Sequence, residues 1–357
     1  MAHPGDVSAI EALIDGGGLD PAGIVAILGK TEGNGCVNDF TRAYAVAELG
    51  TMLAGRLGTT RAAVLERVAM VMSGGTEGGL SPHFLILAVS EADEAPRGAL
   101  AIGAAFTPEF RPEEIGRMAQ VEATARAVRE AMRGAGLSSP DQVHFVQVKC
   151  PLLTTTRVAE AAGRGQEVAT VDTYESMGMS RGASALGVAL ALEEVPRAAL
   201  SDAVIGRDFS LWSGRASASA GVELTRNEVI VFGVSPEWAG DLTIAHDVMQ
   251  DGIDLPAVQR ALAGAGLDTG GGQLAAAGAE RLVALLVKAE PSSTGTIRGR
   301  RHIMWDDSDI NATRHARALV GGVVAAAVGR TDLFVSGGAE HQGPDGGGPV
   351  AVIVRRQ

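Results

Sequence analysis

The stretch GIVAILGKTEGNGCVNDFTR, residues 23–42, joins an apolar run that ends in Lys30 to a polar segment that ends in Arg42. Two further apolar runs, VHFVQVK and LVALLVK, also end in lysine, at Lys149 and Lys288. Short runs rich in Val, Ile and Leu are typical of buried strands. The sequence therefore predicts three similar strands, each with a lysine at its end.

Two other landmarks follow each of these lysines in the same order. An arginine lies near the start of an alanine-rich predicted helix, and the three arginines are Arg42, Arg181 and Arg314. The motif S-[GA]-G-x-E comes next, and its serines are Ser73, Ser219 and Ser336. Recurrence of this kind indicates repeated structural units. We predict an α/β fold of three similar domains, with bounds at residues 1–99, 100–241 and 242–357.

The predicted helices begin at recognisable residues. The clearest helix is expected to begin at Arg111, because its apolar positions from Ile115 to Met132 recur every three or four residues. Suitable N-caps for the three helices that carry the arginines are Asn38, Asp39, Ser180 and Asn311.

Composition narrows the class of protein. The 357 residues are 46% hydrophobic and only 4% aromatic, so sizeable cores of Ala, Val, Leu and Ile are expected. A net charge of -12 argues against nucleic-acid binding, which needs a clustered basic surface. Two cysteines, Cys36 and Cys150, suggest a reducing compartment rather than a disulfide framework. With no secretory or membrane-spanning pattern, a cytoplasmic protein is expected.

The repeated residues suggest a chemistry. If the units pack around a pseudo-threefold axis, equivalent strand ends meet, and three partly desolvated lysines depress one another's pKa. A neutral lysine is then a base for a neighbouring serine. The backbone N–H groups of Gly74, Ala220 and Gly337 are suited to bind carbonyl oxygens. The planar guanidinium groups of the arginines add bidentate hydrogen-bond donors. The expected ligand is small and flat and carries several carbonyls.

Plainer interpretations remain open at this point. A lysine at a strand end often extends its ammonium to solvent. The S-[GA]-G turns are also compatible with simple tight strand ends, and the arginines with pairing to Glu77, Glu223 and Glu340.

Beyond the repeat, the chain resembles the cyanuric acid amidohydrolase and barbiturase family along essentially its whole length. The shared strings include KTEGNGCVNDFTR (30–42), MGMSRGASALG (177–187), KAEPSSTG (288–295) and VSGGAEHQGPDGGG (335–348). The resemblance implies three similar α/β domains around a pseudo-threefold axis, usually in a homotetramer. It also implies hydrolytic opening of the cyanuric acid ring to carboxybiuret, which loses carbon dioxide to give biuret.

The resemblance further implies roles for the repeated residues. Ser219 is implied as the nucleophile and Lys149 as its base, with Lys30 and Lys288 in support. The residues implied to hold the substrate are Arg42, Ser73, Gly74, Arg181, Ser219, Ala220, Arg314, Ser336 and Gly337. Ser217 is a minor rival as nucleophile, although register with the other repeats favours Ser219.

The resemblance implies a bound divalent cation, Mg²⁺ or Ca²⁺, and no organic cofactor. The implied ligands are the carboxylate of Glu290 and the backbone carbonyls of Ala339, Gln342, Gly343, Pro344 and Gly347. Oxygen ligands on a glycine-rich loop suit a hard cation, which we interpret as structural. The alternative is that EHQGPDGGG is a flexible turn.

Four alternatives to this function or mechanism are less favoured by the sequence. Barbiturase activity is the nearest rival, because the same scaffold suits a pyrimidine ring lacking one ring nitrogen. A non-catalytic binding scaffold is less favoured because Ser219 and Lys149 are both present. A cysteine nucleophile is disfavoured because neither thiol recurs between units. A catalytic-zinc amidohydrolase is disfavoured because the histidines show no zinc-ligand spacing.

Overall fold

The computed structural model describes every residue from 1 to 357 and shows a mixed α/β fold with three main sheets. Each sheet is built from a different third of the chain, and we call these thirds units A, B and C. Unit A has a three-stranded sheet in the order β2-β1-β3. Its elements are α1 (Ser8–Asp15), β1 (Ile24–Thr31), α2 (Phe40–Leu57), α3 (Arg61–Arg67), β2 (Ala69–Gly74) and β3 (His83–Ala88).

Unit B has a four-stranded sheet in the order β4-β7-β5-β6. Its elements are β4 (Ala99–Phe106), α4 (Met118–Gly134), β5 (Val143–Cys150), α5 (Thr155–Gly163), α6 (Thr173–Ala191), β6 (Ala216–Ala220) and β7 (Glu228–Ser235). Unit A ends with β3 at Ala88 and unit B begins at Ala99, one residue before the predicted bound.

Unit C repeats the arrangement of unit B, with strand order β12-β9-β13-β8. Its elements are β8 (Leu242–Met249), α7 (Leu255–Gly264), α8 (Ala276–Arg281), β9 (Leu282–Ala289), the short hairpin of β10 (Thr296–Ile297) and β11 (Arg300–Arg301), α9 (Ala312–Val328), β12 (Phe334–Gly337) and β13 (Gly348–Arg355).

The three sheets share one central core. Each sheet packs one face on its own helices, and its other face contributes to a cluster drawn from all three units, which includes Leu28, Phe145 and Leu286. Successive strand residues point to opposite faces. Therefore Lys30, two positions after Leu28 on β1, also faces the centre. The predicted fold of three similar α/β domains is confirmed.

Two helix boundaries differ from the sequence prediction. Helix α4 begins at Met118 rather than Arg111, because Pro112–Glu114 form a single 3₁₀ turn and Gly116 has φ +75°. Helix α6 begins at Thr173, seven residues before Ser180, and its N-cap is Asp172. Arg181 therefore lies in the middle of its helix. Asp39 and Asn311 do cap α2 and α9 as predicted. None of the helices combines the length and apolar character needed to cross a membrane.

Candidate active site

The register of the parallel strands places each repeated lysine directly opposite a serine. The three pairs are Lys30 with Ser73, Lys149 with Ser219, and Lys288 with Ser336. Facing residues of parallel strands project to the same side of a sheet, so each lysine stands beside its serine. The same register sets Ser217 opposite Gln147. Ser219, not Ser217, is therefore the equivalent of the other two serines.

All three lysines are buried, with at most 1% of each exposed, so the solvent-seeking interpretation of these lysines is wrong. Burial lowers the pKa of each ammonium, to about 7 for Lys288 and well below the usual range for Lys30. Positively charged neighbours lower these pKa values further. At Lys30 the charge of Arg317 has a larger effect than the charge of Lys288. The main cause of the lowered pKa values is thus burial rather than mutual repulsion among the lysines.

The middle Ser–Lys pair is hydrogen-bonded differently from the other two. Lys30 Nζ donates to Ser73 Oγ at 3.2 Å, and Lys288 Nζ donates to Ser336 Oγ at 3.1 Å. In the middle pair, by contrast, Ser219 Oγ is buried without a hydrogen-bond partner.

Lys149 makes its contacts elsewhere. Its Nζ donates to the carbonyl of Met72 at 2.6 Å and lies 3.1 Å from Glu223 Oε1. Burial lowers the pKa of Lys149, and the Glu223 charge opposes that shift. The expected nucleophile therefore has a free oxygen, and the expected base is held in place by other groups.

Three arginine–glutamate contacts join the units in a ring. Each arginine reaches the glutamate of the next unit, and the contacts are Arg42 with Glu223, Arg181 with Glu340, and Arg317 with Glu77. The last two are short bidentate pairs, with N···O distances from 2.5 to 2.7 Å. The pairing left open by the sequence therefore exists, and it runs between units.

Arg42 departs from this pattern. Its Nε is 3.9 Å from Glu223 and has no hydrogen-bond partner. Its two terminal nitrogens donate instead to the carbonyls of Ala220 and Cys36. Arg42 thus holds the end of β6 next to Ser219.

The third arginine of the ring is Arg317, not the predicted Arg314. The side chain of Arg314 is 39% exposed and touches Glu77 only through Nε at 3.3 Å, whereas the Arg317 side chain is 4% exposed. The two arginines lie three residues apart on α9, so both face Glu77 and only the deeper one is buried. The R-x-x-R spacing in NATRHAR was the signal available in the sequence.

The serine-bearing strands supply outward-pointing backbone groups. Strands β2, β6 and β12 are sheet edges, so alternate N–H and C=O groups point away from the sheet towards neighbouring units. The carbonyl of Ala220 does so, because it accepts from Arg42 of unit A. The glycine that follows Gly74, Ala220 and Gly337 in each unit donates to the neighbouring strand of its own sheet. The N–H groups of Gly74, Ala220 and Gly337 therefore point outward. This is the position that the sequence predicted for carbonyl-binding donors.

Neither cysteine is placed as a nucleophile. Cys150 follows Lys149 on β5 and so points to the opposite face, where it is buried in the core beneath α4 and α6. Burial raises the pKa of its thiol. Cys36 contributes its backbone carbonyl to Arg42.

The loop after Ser336 has the donors that a hard cation prefers. Glu290 is partly buried and accepts from the N–H of Ala339 at 3.1 Å. Burial, and then the neighbouring Glu340 charge, raise the pKa of Glu290. A cation beside the carboxylate would offset both effects.

The backbone of this loop also suits a cation. The carbonyls of Ala339 and Pro344 each accept one backbone hydrogen bond, which leaves each oxygen a second lone pair. A cavity of about 140 Å³ borders Glu290, Ala339 and Gly343. The Gln342 side chain accepts from Ala218 N at 2.6 Å and so ties the loop to β6. The predicted ligand set is therefore compatible with an oxygen-bound divalent ion.

A buried serine beside a buried lysine, next to outward backbone amides, is typical of a hydrolase that cleaves amide bonds. The chain belongs to the family of ring-opening amidohydrolases, since the model described as "Amidohydrolase ring-opening protein" matches residues 1–355. The family resemblance seen in the sequence is thus confirmed, and the protein is an enzyme of this class.

Named relatives agree with this assignment. The chain is 58% identical to the cyanuric acid amidohydrolase of Ectopseudomonas oleovorans, over 99% of this chain and 97% of the relative. A solved cyanuric acid hydrolase, described as an evolutionary innovation by structural concatenation, superimposes with a TM-score of 0.94 at 53% identity, covering 99% of this chain and 97% of the other. The A. caulinodans cyanuric acid hydrolase gives a TM-score of 0.92 at 56% identity, covering 100% and 97%.

Proposed function

We propose that this enzyme hydrolytically opens the ring of cyanuric acid. The observation that carries the proposal is Ser219, whose oxygen lacks a partner while it stands opposite a buried lysine. Relatives named for this substrate, at 58% and 56% identity over nearly the whole chain, support the choice of ligand. Cyanuric acid has three equivalent carbonyl edges, which match three outward backbone amides.

Lys149 is suited to be the base for Ser219. A neutral amine has two hydrogens and one lone pair. The carbonyls of Met72 and Ala220 accept the two hydrogens, at 2.6 and 3.5 Å, so the lone pair remains for the proton of Ser219. Lys288, by contrast, donates to Ser336 Oγ as well as to two backbone carbonyls, so no lone pair of this lysine is directed at its serine.

The first step forms the bond between Ser219 Oγ and a ring carbonyl carbon while Lys149 takes the hydroxyl proton. The N–H of Ala220 stabilises the resulting oxyanion. The ring C–N bond then breaks, and the leaving nitrogen receives the proton from Lys149. The result is an open-chain acyl-serine.

Water completes the reaction. It attacks the acyl carbonyl, gives its proton to Lys149, and Ser219 leaves with that proton. The product is carboxybiuret, which loses carbon dioxide to give biuret. One water is consumed per ring, and the enzyme is regenerated.

Ser73 and Ser336 have a binding role in this scheme. Their oxygens accept from Lys30 and Lys288, which leaves each hydroxyl hydrogen to donate to a ring carbonyl. Together with the N–H groups of Gly74 and Gly337 they hold the two carbonyl edges that do not react. Arg42, Arg181 and Arg317 stabilise the surrounding turns and provide positive charge.

We further propose a structural divalent cation, Mg²⁺ or Ca²⁺, held by Glu290 and the carbonyls of the loop after Ser336. When bound, it would order that loop and so fix Ser336 and Gly337. A homotetramer and a cytoplasmic location belong to the same proposal, and the free thiols of Cys36 and Cys150 agree with a reducing compartment.

The direct test is incubation of the purified protein with cyanuric acid and, separately, with barbituric acid. Formation of biuret and carbon dioxide from the first is expected. Preferential formation of ureidomalonate from the second would identify a barbiturase instead. Binding of either compound without ring opening would identify a non-catalytic scaffold.

A further inference from the structure

The side-chain layer beneath the three Ser–Lys pairs is apolar in two units and polar in the third. This layer consists of the residues two positions before each lysine and each serine. In units A and C its members are Leu28, Val71, Leu286 and Phe334. In unit B they are Gln147 and Ser217, which face each other across β5 and β6.

The two polar side chains are buried without adequate partners. Gln147 and Ser217 are both 0% exposed, and neither Gln147 Oε1 nor Ser217 Oγ has a hydrogen-bond partner. The only bond of the Gln147 side chain runs from its Nε2 to Val148 O at 3.2 Å. Buried polar atoms in native proteins are nearly always satisfied, often by an ordered water. The free oxygen of Ser219 lies on the same face of β6, two residues further along.

We propose that Gln147 and Ser217 hold a buried water beneath Ser219 and are positioning residues for its hydroxyl. This inference rests on the proposed function of Ser219. The hydroxyl of Ser217 donates to the water, and the water donates to Gln147 Oε1 and to Ser219 Oγ. Every atom left unsatisfied in the layer then has a partner. Because the water donates to one lone pair of Ser219 Oγ, the hydroxyl hydrogen of Ser219 is directed to Lys149.

The proposal accounts for the inequality of the three pairs. In units A and C the lysine donates to the serine oxygen, and apolar side chains fill the layer below. In unit B no lysine hydrogen is bonded to the serine, and the layer below can hold water instead. The polar layer thus distinguishes the one pair in which the serine gives up its proton.

The test copies the layer of unit A into unit B, with Gln147→Leu and Ser217→Val. We expect kcat for cyanuric acid to fall at least tenfold, with KM changed less than twofold and thermal stability maintained or raised. Ser217→Thr keeps the hydroxyl, whereas Ser217→Val has the same shape as the threonine variant but no hydroxyl. Ser217→Thr should therefore retain most of the activity that Ser217→Val loses. Thr124→Val, which removes a buried hydroxyl between α4 and β7, is the control for stability alone.

Several results would overturn the inference. A folded double variant with wild-type kcat would do so, as would equal activity losses for Ser217→Thr and Ser217→Val. If the double variant does not fold, a crystal structure of the wild-type enzyme at high resolution decides, since density without a water between Gln147 and Ser217 contradicts the proposal. Inactivity of the wild-type enzyme towards cyanuric acid would instead refute the function itself.

Discussion

Lys149 Nζ lies 3.1 Å from Glu223 Oε1, whereas the equivalent glutamates of the other units are held by arginines. Glu223 thus has a lysine as its nearest partner instead of an arginine, and this difference breaks the threefold symmetry at the middle Ser–Lys pair. Glu223 raises the pKa of Lys149 while burial lowers it, and burial prevails. The lysine is thereby fixed in position without a hydrogen bond to Ser219.

Replacing the proposed base should nearly abolish turnover. For Lys149→Met we expect kcat to fall by about 10³, within the usual contribution of a general base, while cyanuric acid still binds. Biuret formation measures the first quantity and titration calorimetry the second. Wild-type turnover by a correctly folded variant would contradict the role of Lys149.

The pH dependence should follow the neutral form of Lys149. Because the pKa of Lys149 lies below its ordinary value of 10.5, kcat should rise as the pH rises through that lowered pKa. Glu223→Gln removes the charge that raises this pKa, so the rising limb should move to lower pH. Rate profiles of the two proteins test this, and a shift to higher pH would be inconsistent with a lysine base.

The three serines should have separable effects. Ser219→Ala should remove all detectable turnover, since no acyl-serine can form. Ser73→Ala and Ser336→Ala should mainly raise KM, by about tenfold for one lost hydrogen bond of 1 to 1.5 kcal/mol. Steady-state kinetics on the three variants distinguish these outcomes. Equal losses of kcat in all three would argue against a unique nucleophile.

Arg317 and Arg314 should differ strongly in their contribution to stability. Arg317→Met removes one partner of a buried pair and should cost about 3 to 5 kcal/mol. Arg314→Met removes an exposed contact and should cost less than about 1 kcal/mol. Denaturant unfolding of both variants provides the comparison. The reverse order would restore Arg314 as the third equivalent arginine.

The proposed cation should stabilise the loop after Ser336. Removing it with a chelator, or substituting Glu290→Gln, should lower the melting temperature by several degrees, because a ligand that binds only the folded state stabilises it. Readdition of Mg²⁺ or Ca²⁺ should reverse the first effect but not the second. Elemental analysis that finds no divalent metal in the purified protein would refute the site.

The repeat in the sequence was sufficient to predict the three sheets and the pairing of each lysine with its serine. It could not place the third arginine, because order along the chain does not determine helical phase or depth of burial. Arg181 illustrates this limit, since α6 begins well before it. The polar layer was detectable in principle, because Gln147 stands where Leu28 and Leu286 occur in the other repeats.

The ring of arginine–glutamate contacts determines how far the units depend on one another. Every unit lends its arginine to one neighbour and its glutamate to the other, so separating the units breaks all three contacts. Separation would also expose the apolar faces that the three sheets share at the centre, and burial of apolar surface is the main favourable contribution to folding. The protein should therefore unfold in a single cooperative transition, because no unit keeps its core without the other two.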